Sequence, residues 1–336
     1  MSLPLASPAA RPAVGLDLGG TQVRAALVAP DGRLLARAAT RTDVSGGPRA
    51  VVEQMRRLVD DVTAGQPRHG LAGIGVCAPG PLDSAEGMVL GIPTLPGWTD
   101  VPLTAWLQEA LELPVRLEND GVGAALGEWR YGAGRGLSDF VYVTVSTGIG
   151  GGVVSDGRLL RGRRRLAAHI GHMTVVPDGP LCPCGNSGCW EAVASGSALG
   201  RRAREAAAAE PSGRLAELAH ALAGGADAAV LVRAARDGDA AAGRLIDEEA
   251  SALGLGIVNL LHLFSPQRVV LGGGVAQAFD LLQAGIAREI DKRAMPPFRD
   301  VPVVAASCGQ DAGLVGAAAL ILAPPEPPTG AGSAHG

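Results

Sequence analysis

Short apolar runs that end at glycine recur in the first part of the chain. Residues 14–18 form one such run and stop at Gly19-Gly20, and two further runs, residues 23–28 and 34–36, are separated by Asp31-Gly32. Short apolar runs between glycine turns are typical of antiparallel strands, and Asp-Gly favours the tight turn of a hairpin. The pattern therefore predicts that the chain opens with three antiparallel strands.

The same order of elements returns in the middle of the chain. Residues 140–145 and 152–154 are apolar, and the turn Asp156-Gly157 then leads to residues 159–160. Strand, glycine turn, strand, hairpin and strand thus occur twice, with little identity between the copies. A repeated order of elements indicates a duplicated structural unit, so we expect two copies of one α/β lobe.

Further strands and helices are predicted around these two copies. Apolar residues at helical spacing predict a helix that contains Val51, Met55, Leu58 and Val62. The remaining short apolar runs are predicted strands: residues 74–77, 115–117, 268–271 and 301–305. The remaining predicted helices are rich in Ala, Leu, Arg and Glu: residues 122–129, 195–220, 228–264 and 311–322.

These elements suggest a domain organisation with a cleft between two lobes. We expect a small lobe of residues 14–118 plus 309–322 and a large lobe of residues 119–308. A chain of 336 residues exceeds the usual size of a single core, in agreement with two lobes. The segments 1–13 and 323–336 are rich in Pro, Ala and Gly and are expected to be disordered.

Composition excludes several classes of function. A net charge of −4 and an aromatic content of 3% argue against nucleic-acid and anionic-membrane partners. No uncharged run approaches the length of a membrane span, so we expect a cytoplasmic protein. Lys292 is the only lysine and lies far from any glycine-rich turn, which excludes a P-loop and a protein-kinase site. Any ATP must be held by backbone amides, hydroxyls and Mg²⁺.

Two glycine turns that follow strands are candidates for holding phosphate. The first offers backbone amides, a hydroxyl and a carboxylate that could bind Mg²⁺ through water, and its candidate residues are Asp17, Gly19, Gly20 and Thr21. The second turn contains Thr147, Gly148 and Gly150. Ordinary hairpin turns are the alternative interpretation. One glycine turn in each lobe is, however, what clamping a triphosphate requires.

Asp120 is the candidate general base, because phosphoryl transfer to an alcohol needs a carboxylate beside the attacking hydroxyl. It stands at a strand-to-helix junction beside Asn119, whose amide can bind sugar hydroxyls. The alternative is that the two residues only cap the following helix.

A cluster of metal-ligand residues follows. Three of the five cysteines lie within eight residues, which is metal spacing rather than a disulfide framework. His172, Cys182, Cys184 and Cys189 supply four ligands in a loop of residues 172–191, so we predict a closed, structural Zn²⁺ site. Unliganded thiols are the alternative.

Taken together, these segments closely resemble the ROK family of bacterial sugar kinases and repressors, within the actin-like ATPase superfamily. The resemblance implies two ribonuclease H-like lobes around a cleft, with a helical, zinc-bearing insertion. It implies that Asp120 is the catalytic base and that the sugar contacts come from Asn119, His169, His172, Glu191 and Gly80. It also adds Thr144 to the second phosphate segment and gives Gly272, Gly273 and Gly274 to the adenosine.

The resemblance implies an ATP-, Mg²⁺- and Zn²⁺-dependent kinase, expected as a homodimer, that phosphorylates the 6-hydroxyl of a hexose. Glucose is the first expected substrate. Many family glucokinases have Glu where this chain has His169, and the His-Ile-Gly-His version resembles N-acetylmannosamine kinases, the second expectation. A sugar-responsive regulator without catalysis is a further alternative. Family repressors carry a DNA-binding domain first, for which we expect no room before Val14.

Overall fold

The computed structural model describes residues 11–64, 66–92, 94–221 and 225–322. Apart from residues 11–13, the segments that we expected to be disordered lie outside these ranges.

The strands are β1 (Ala13–Leu18), β2 (Gln22–Val28), β3 (Leu34–Arg41), β4 (Ile74–Ala78), β5 (Leu82–Asp83), β6 (Met88–Val89), β7 (Val115–Asn119), β8 (Phe140–Val145), β9 (Ile149–Ser155), β10 (Arg158–Leu159), β11 (Arg268–Gly272) and β12 (Val303–Ala305). The helices are α1 (Gly47–Val62), α2 (Leu103–Leu111), α3 (Asp120–Tyr131), α4 (Trp190–Ala194), α5 (Gly196–Ala209), α6 (Arg214–His220), α7 (Ala228–Arg236), α8 (Ala240–Phe264), α9 (Phe279–Arg293) and α10 (Ala312–Leu322).

Two five-stranded sheets with one shared topology organise the described residues. The first has the order β3-β2-β1-β4-β7 and the second the order β10-β9-β8-β11-β12. In each sheet the first three strands are antiparallel and the last two run parallel to the strand at the centre. This equivalence confirms the duplicated α/β fold that the sequence pattern predicts.

Helices α10 and α3 lie between the sheets. Helix α10 packs on β1 and β4, helix α3 packs on β8 and β9, and the two helices contact each other. Glycine makes this closeness possible: a side-chain carbon at Gly316 would lie 1.8 Å from the backbone oxygen of Gly123, and one at Gly75 would lie 1.7 Å from that of Ala317. The cleft therefore forms where these two helices begin.

The outer faces of the sheets carry the other helices. Helices α1 and α2 cover the first sheet, with Met55, Leu103 and Leu107 fully buried in its core. Helices α4 to α9 form the larger core on the second sheet. No helix in the described part of the chain combines the length and the apolarity that crossing a membrane requires.

The structure departs from the sequence prediction in several places. Ala13 already belongs to β1, so order begins before the predicted start. The patterns did not reveal α2 or α9, and the last strand is shorter than predicted. Strand β9 begins at Ile149 rather than at Gly152, so Gly150, which we assigned to the second turn, lies in the strand. Close packing explains Gly152, since a side-chain carbon there would lie 2.5 Å from the Ala125 methyl group on α3.

Candidate active site

A cleft of about 1260 Å³ opens between the sheets where β1, β7 and β8 end. Most of the predicted site residues line it together: Asp17, Gly19, Gly20, Thr21, Gly80, Asn119, Asp120, Thr144, Thr147, Gly148, Gly150, His169, His172, Glu191, Gly273 and Gly274. Gly272 does not line it, because this glycine is buried in β11, where a side-chain carbon would lie 2.3 Å from the Tyr142 hydroxyl.

The first glycine turn joins β1 to β2 and is closed by its own backbone. The amide of Gly19 donates to the carbonyl of Gln22 at 2.9 Å, and the Thr42 hydroxyl donates to the carbonyl of Gly19 at 2.7 Å. These bonds leave Gly20 and Thr21 on the cleft. Thr42 directly follows β3, so its bond to Gly19 helps to fix the position at which the turn presents its backbone to the cleft.

A charged pair lies directly behind this turn. Asp17 and Arg24 face each other in the register of β1 and β2. The Arg24 guanidinium donates to Asp17 Oδ2 through both Nε and Nη2, and its Nη1 donates to the carbonyl of Gln310 at 2.9 Å. Both groups line the cleft, so the Asp17 carboxylate at this surface is already paired with the Arg24 guanidinium.

The second glycine turn joins β8 to β9 and is tied to Glu191. The amide of Ser146 donates to the carbonyl of Gly148 at 2.9 Å, and the amide of Ile149 donates to Glu191 Oε2 at 3.0 Å. A side-chain carbon at Gly148 would lie 2.2 Å from that same oxygen. Glycine is therefore required here so that the carboxylate on α4 can approach the turn.

Asn119 and Asp120 stand at the junction of β7 and α3. The amide of Gly121 donates to both Asn119 Oδ1, at 3.0 Å, and Asp120 Oδ1, at 2.8 Å. Asn119 thus caps the helix, as the alternative interpretation has it, yet the Asp120 carboxylate also lines the cleft.

The surroundings of Asp120 change its acidity. Its carboxylate is exposed to the cleft, and the walls of the cleft displace part of its water. This desolvation, with the negative charge of Asp17, raises the pKa of Asp120 to about 6. Asp120 is therefore ionised at neutral pH and accepts a proton more readily than an ordinary carboxylate does.

Two histidines face the end of the cleft near Glu191. The ring centres of His169 and His172 lie 6.2 Å apart. Burial, and then the charge of His172, lower the pKa of His169. A neutral His169 imidazole offers one donor and one acceptor, which suits sugar hydroxyls.

The four predicted metal ligands lie together beside this end of the cleft. Cys182 Sγ is 3.7 Å from His172 Nδ1 and Cys184 Sγ is 3.6 Å from Cys189 Sγ, and all four ligand atoms lie within 4.8 Å of one another. Around a tetrahedral zinc ion with bonds of about 2.0–2.3 Å, neighbouring ligand atoms are about 3.5–3.8 Å apart. The donor set therefore fits a closed Zn²⁺ site, with His172 Nε2 left for the cleft.

The far end of the cleft is built from backbone at β11 and α5. Gly273 has φ +88°, and a side-chain carbon there would lie 2.4 Å from the carbonyl oxygen of Val145. Ser195 caps α5 by accepting from the amide of Ala198 at 3.2 Å. A helix amino terminus favours anions, so this end suits a nucleotide.

Comparison with known proteins agrees with this geometry. A family model described as the ROK family matches residues 13–323. The chain belongs to the ROK family.

ROK relatives resemble nearly the whole chain. A glucokinase from Thermotoga maritima is 38% identical over 92% of this chain and 96% of its own length. An N-acetylmannosamine kinase from Escherichia coli is 37% identical over 91% of this chain and 97% of its own length. The crystal structure of a ROK glucokinase from Streptomyces griseus in complex with glucose and AMPPNP superposes with a TM-score of 0.81 at 36% identity, covering 92% of this chain and 98% of that one.

Several residues of this ROK cleft were not predicted from sequence. Arg24, Arg201 and Gln277 line the cleft, as does the hydroxyl-bearing Ser197. Arg24 could have been inferred from the hairpin, because a seven-residue separation across a tight turn places it opposite Asp17. The others come from helices that only the tertiary fold brings to the cleft.

Proposed function

We propose that this ROK protein is an ATP-dependent kinase that transfers the γ-phosphoryl group to the 6-hydroxyl of a hexose, with glucose as its first substrate. One observation carries the proposal. The Asp120 carboxylate, both glycine turns and the His172–Glu191 region open into a single cleft. A base, two phosphate cradles and a polar sugar surface are what phosphoryl transfer to an alcohol requires.

Asp120 accepts the proton of the attacking hydroxyl. The hydroxyl oxygen then forms its bond to the γ-phosphorus as the bond to the β-phosphate oxygen breaks. Because the pKa of Asp120 is raised to about 6, its proton affinity is better matched to neutral pH than that of an ordinary aspartate.

The two glycine turns and Arg24 hold the phosphates. Backbone amides at Gly20, Thr21 and Gly148 serve as donors, and the Arg24 guanidinium brings positive charge to the first turn. Mg²⁺ neutralises charge on the transferred phosphoryl group when it is bound. Asp17 fits a role in holding it through water, because the bonds from Arg24 both go to Oδ2 and leave Oδ1 for that role.

The sugar lies against Asn119, Glu191 and the two histidines. Zn²⁺ on Nδ1 would fix the tautomer and orientation of His172, so that Nε2 meets the sugar in one protonation state. The closed ligand set makes this zinc structural.

N-acetylmannosamine is the second candidate substrate. The observation that favours it is His169, an uncharged donor and acceptor in the sugar region. The similarity to an N-acetylmannosamine kinase agrees with this alternative.

A coupled ADP-release assay on zinc-loaded protein tests the proposal. We expect turnover with glucose, and the ratio of kcat/KM for glucose and N-acetylmannosamine ranks the two sugars. Mannose, fructose and N-acetylglucosamine complete the panel. Absence of sugar-dependent ADP release with all five sugars would contradict the kinase proposal and favour a regulator that binds sugar without turnover.

We further propose a cytoplasmic location and a homodimer. The arrangement of the cysteines as metal ligands rather than as a disulfide framework supports a reducing compartment. The homodimer is a family expectation, and light scattering in solution tests it.

A further inference from the structure

A buried charge pair connects the catalytic strand to the loop that carries His169. Glu118 lies at the end of β7, two residues before Asp120, and its side chain is 1% exposed. Arg161 follows β10 on the second sheet and donates from Nε to Glu118 Oε2 at 3.4 Å, with 23% of its side chain exposed. The pair therefore spans from the first sheet to the second.

Each member of this pair also holds local backbone. Glu118 Oε1 accepts from the amide of Asn119 at 3.1 Å. The carbonyl of Arg161 accepts from the amide of Ala167 at 2.9 Å, which closes residues 161–167 into a compact loop. The next two residues, Ala168 and His169, line the cleft. Because the loop is closed, a displacement of Arg161 would also displace His169, which lines the sugar side of the cleft.

The middle of this loop is exposed. Arg163, Arg164 and Arg165 are exposed, and no ion pair among the described residues involves them. Arg164, Arg165 and Ala168 have positive φ values of 56°, 57° and 66°, which a side chain adopts only where the surrounding structure enforces it. Arg161 is where this strained loop is attached by charge.

We propose that Glu118 and Arg161 are positioning residues that set the acceptor sugar against Asp120. Glu118 fixes the backbone of Asn119, and Arg161 fixes the loop of His169. The pair therefore aligns the catalytic side and the sugar side of the cleft. This inference rests on the proposed kinase function, and a misaligned hydroxyl loses rate steeply because phosphoryl transfer depends on positioning.

Arg161→Met, Arg161→Lys and the double variant Glu118→Gln/Arg161→Met test the proposal. Steady-state kinetics give kcat and the KM values for sugar and ATP, and ADP release without sugar gives the uncoupled fraction. In Arg161→Met we expect kcat to fall and sugar KM to rise about tenfold or more, ATP KM to change less than about threefold, and the uncoupled fraction to increase. Arg161→Lys should recover part of the loss, since it keeps the charge.

The double variant separates positioning from folding. Removing one partner leaves a buried charge uncompensated, which destabilises the protein, whereas removing both does not. We expect the double variant to recover thermal stability while its sugar KM stays raised. Recovery of both thermal stability and a wild-type sugar KM in the double variant would overturn the proposal. An unchanged sugar KM in folded Arg161→Met would also overturn it.

Arg163→Met is the matched control, because it removes a charge from the same loop without touching Glu118. Its sugar KM should stay within about twofold of wild type. An equal rise in the control would also overturn the proposal. Failure of the kinase proposal is distinguishable, because wild-type protein would then show no sugar-dependent turnover at all.

Discussion

The two sheets share one topology but bring different chemistry to the cleft. Asp17 on β1 pairs in register with Arg24 on β2, and the equivalent pair on the second sheet is Thr144 on β8 with Gly150 on β9. The first position is an ion pair and the second is a hydroxyl beside bare backbone. The two copies therefore share the turn, but they differ in charge at this one position.

Glycines in the two copies also meet different neighbours. In the first turn a side-chain carbon at Gly20 would lie 2.9 Å from the hydroxyl of Thr94, and this side chain can rotate away. In the second copy a carbon at Gly151 would meet the backbone oxygen of Tyr142 at 2.2 Å. Packing of the fold therefore requires glycine at position 151, whereas at position 20 the neighbouring side chain can move to admit a methyl group.

The largest expected effect separates the two in-register pairs. Asp17→Asn should lower kcat by about 10²-fold or more, because it removes the carboxylate that would hold Mg²⁺ through water. Thr144→Val should lower kcat by about tenfold or less, the value of one neutral hydrogen bond. Single-turnover kinetics with glucose measure both. Equal losses of kcat in folded Asp17→Asn and Thr144→Val would contradict the proposed difference between the two in-register pairs.

The second effect concerns stability. Gly151→Ala should lower the free energy of unfolding by about 1–3 kcal/mol, because the added methyl group overlaps backbone. Gly20→Ala should cost less than about 1 kcal/mol, because Thr94 can rotate away. Urea denaturation measures both. A larger loss for Gly20→Ala than for Gly151→Ala would reverse our assignment of the two glycines.

A smaller effect sharpens the role of charge in the first lobe. Arg24→Gln should raise ATP KM by about tenfold, the value of one charge-assisted hydrogen bond. The control is Arg33→Gln, whose partner Asp31 lies on an exposed turn outside the cleft. An ATP KM unchanged in Arg24→Gln would mean that Arg24 only neutralises Asp17.

The smallest effect is a shift of the pH profile. Asp120 must be ionised to accept a proton, so kcat/KM should fall as the pH drops through about 6. The negative charge of Asp17 contributes to the raised pKa of Asp120, so Asp17→Asn should move this acid limb to lower pH, whereas Thr144→Val should leave it in place. An acid limb that moves to higher pH in Asp17→Asn would contradict the electrostatic effect of Asp17 on the pKa of Asp120.

The sequence was sufficient to predict the repeated strands and the residues that follow them. Alternation of short apolar runs and glycine turns is a local property, so β1, β2, β8 and the two glycine turns could be located from it. The resemblance to the ROK family, not this pattern, supplied Gly80, Thr144, His169, Glu191 and the glycines at 272–274. The role of Gly151 could not be predicted, because the sequence does not distinguish a glycine in a turn from one that is packed against neighbouring backbone. Likewise nothing local connects Arg161 to Glu118, since only the fold brings residues 43 positions apart into contact.

The central claim is that Asp120 takes the proton from the bound hexose, and the Asp120→Asn variant tests it most directly. Isothermal titration with glucose and single-turnover phosphorylation are measured on the same preparation. We predict a glucose Kd within about threefold of wild type and a phosphorylation rate lower by about 10²- to 10⁴-fold. A rate within about tenfold of wild type, with glucose bound normally, would contradict the account.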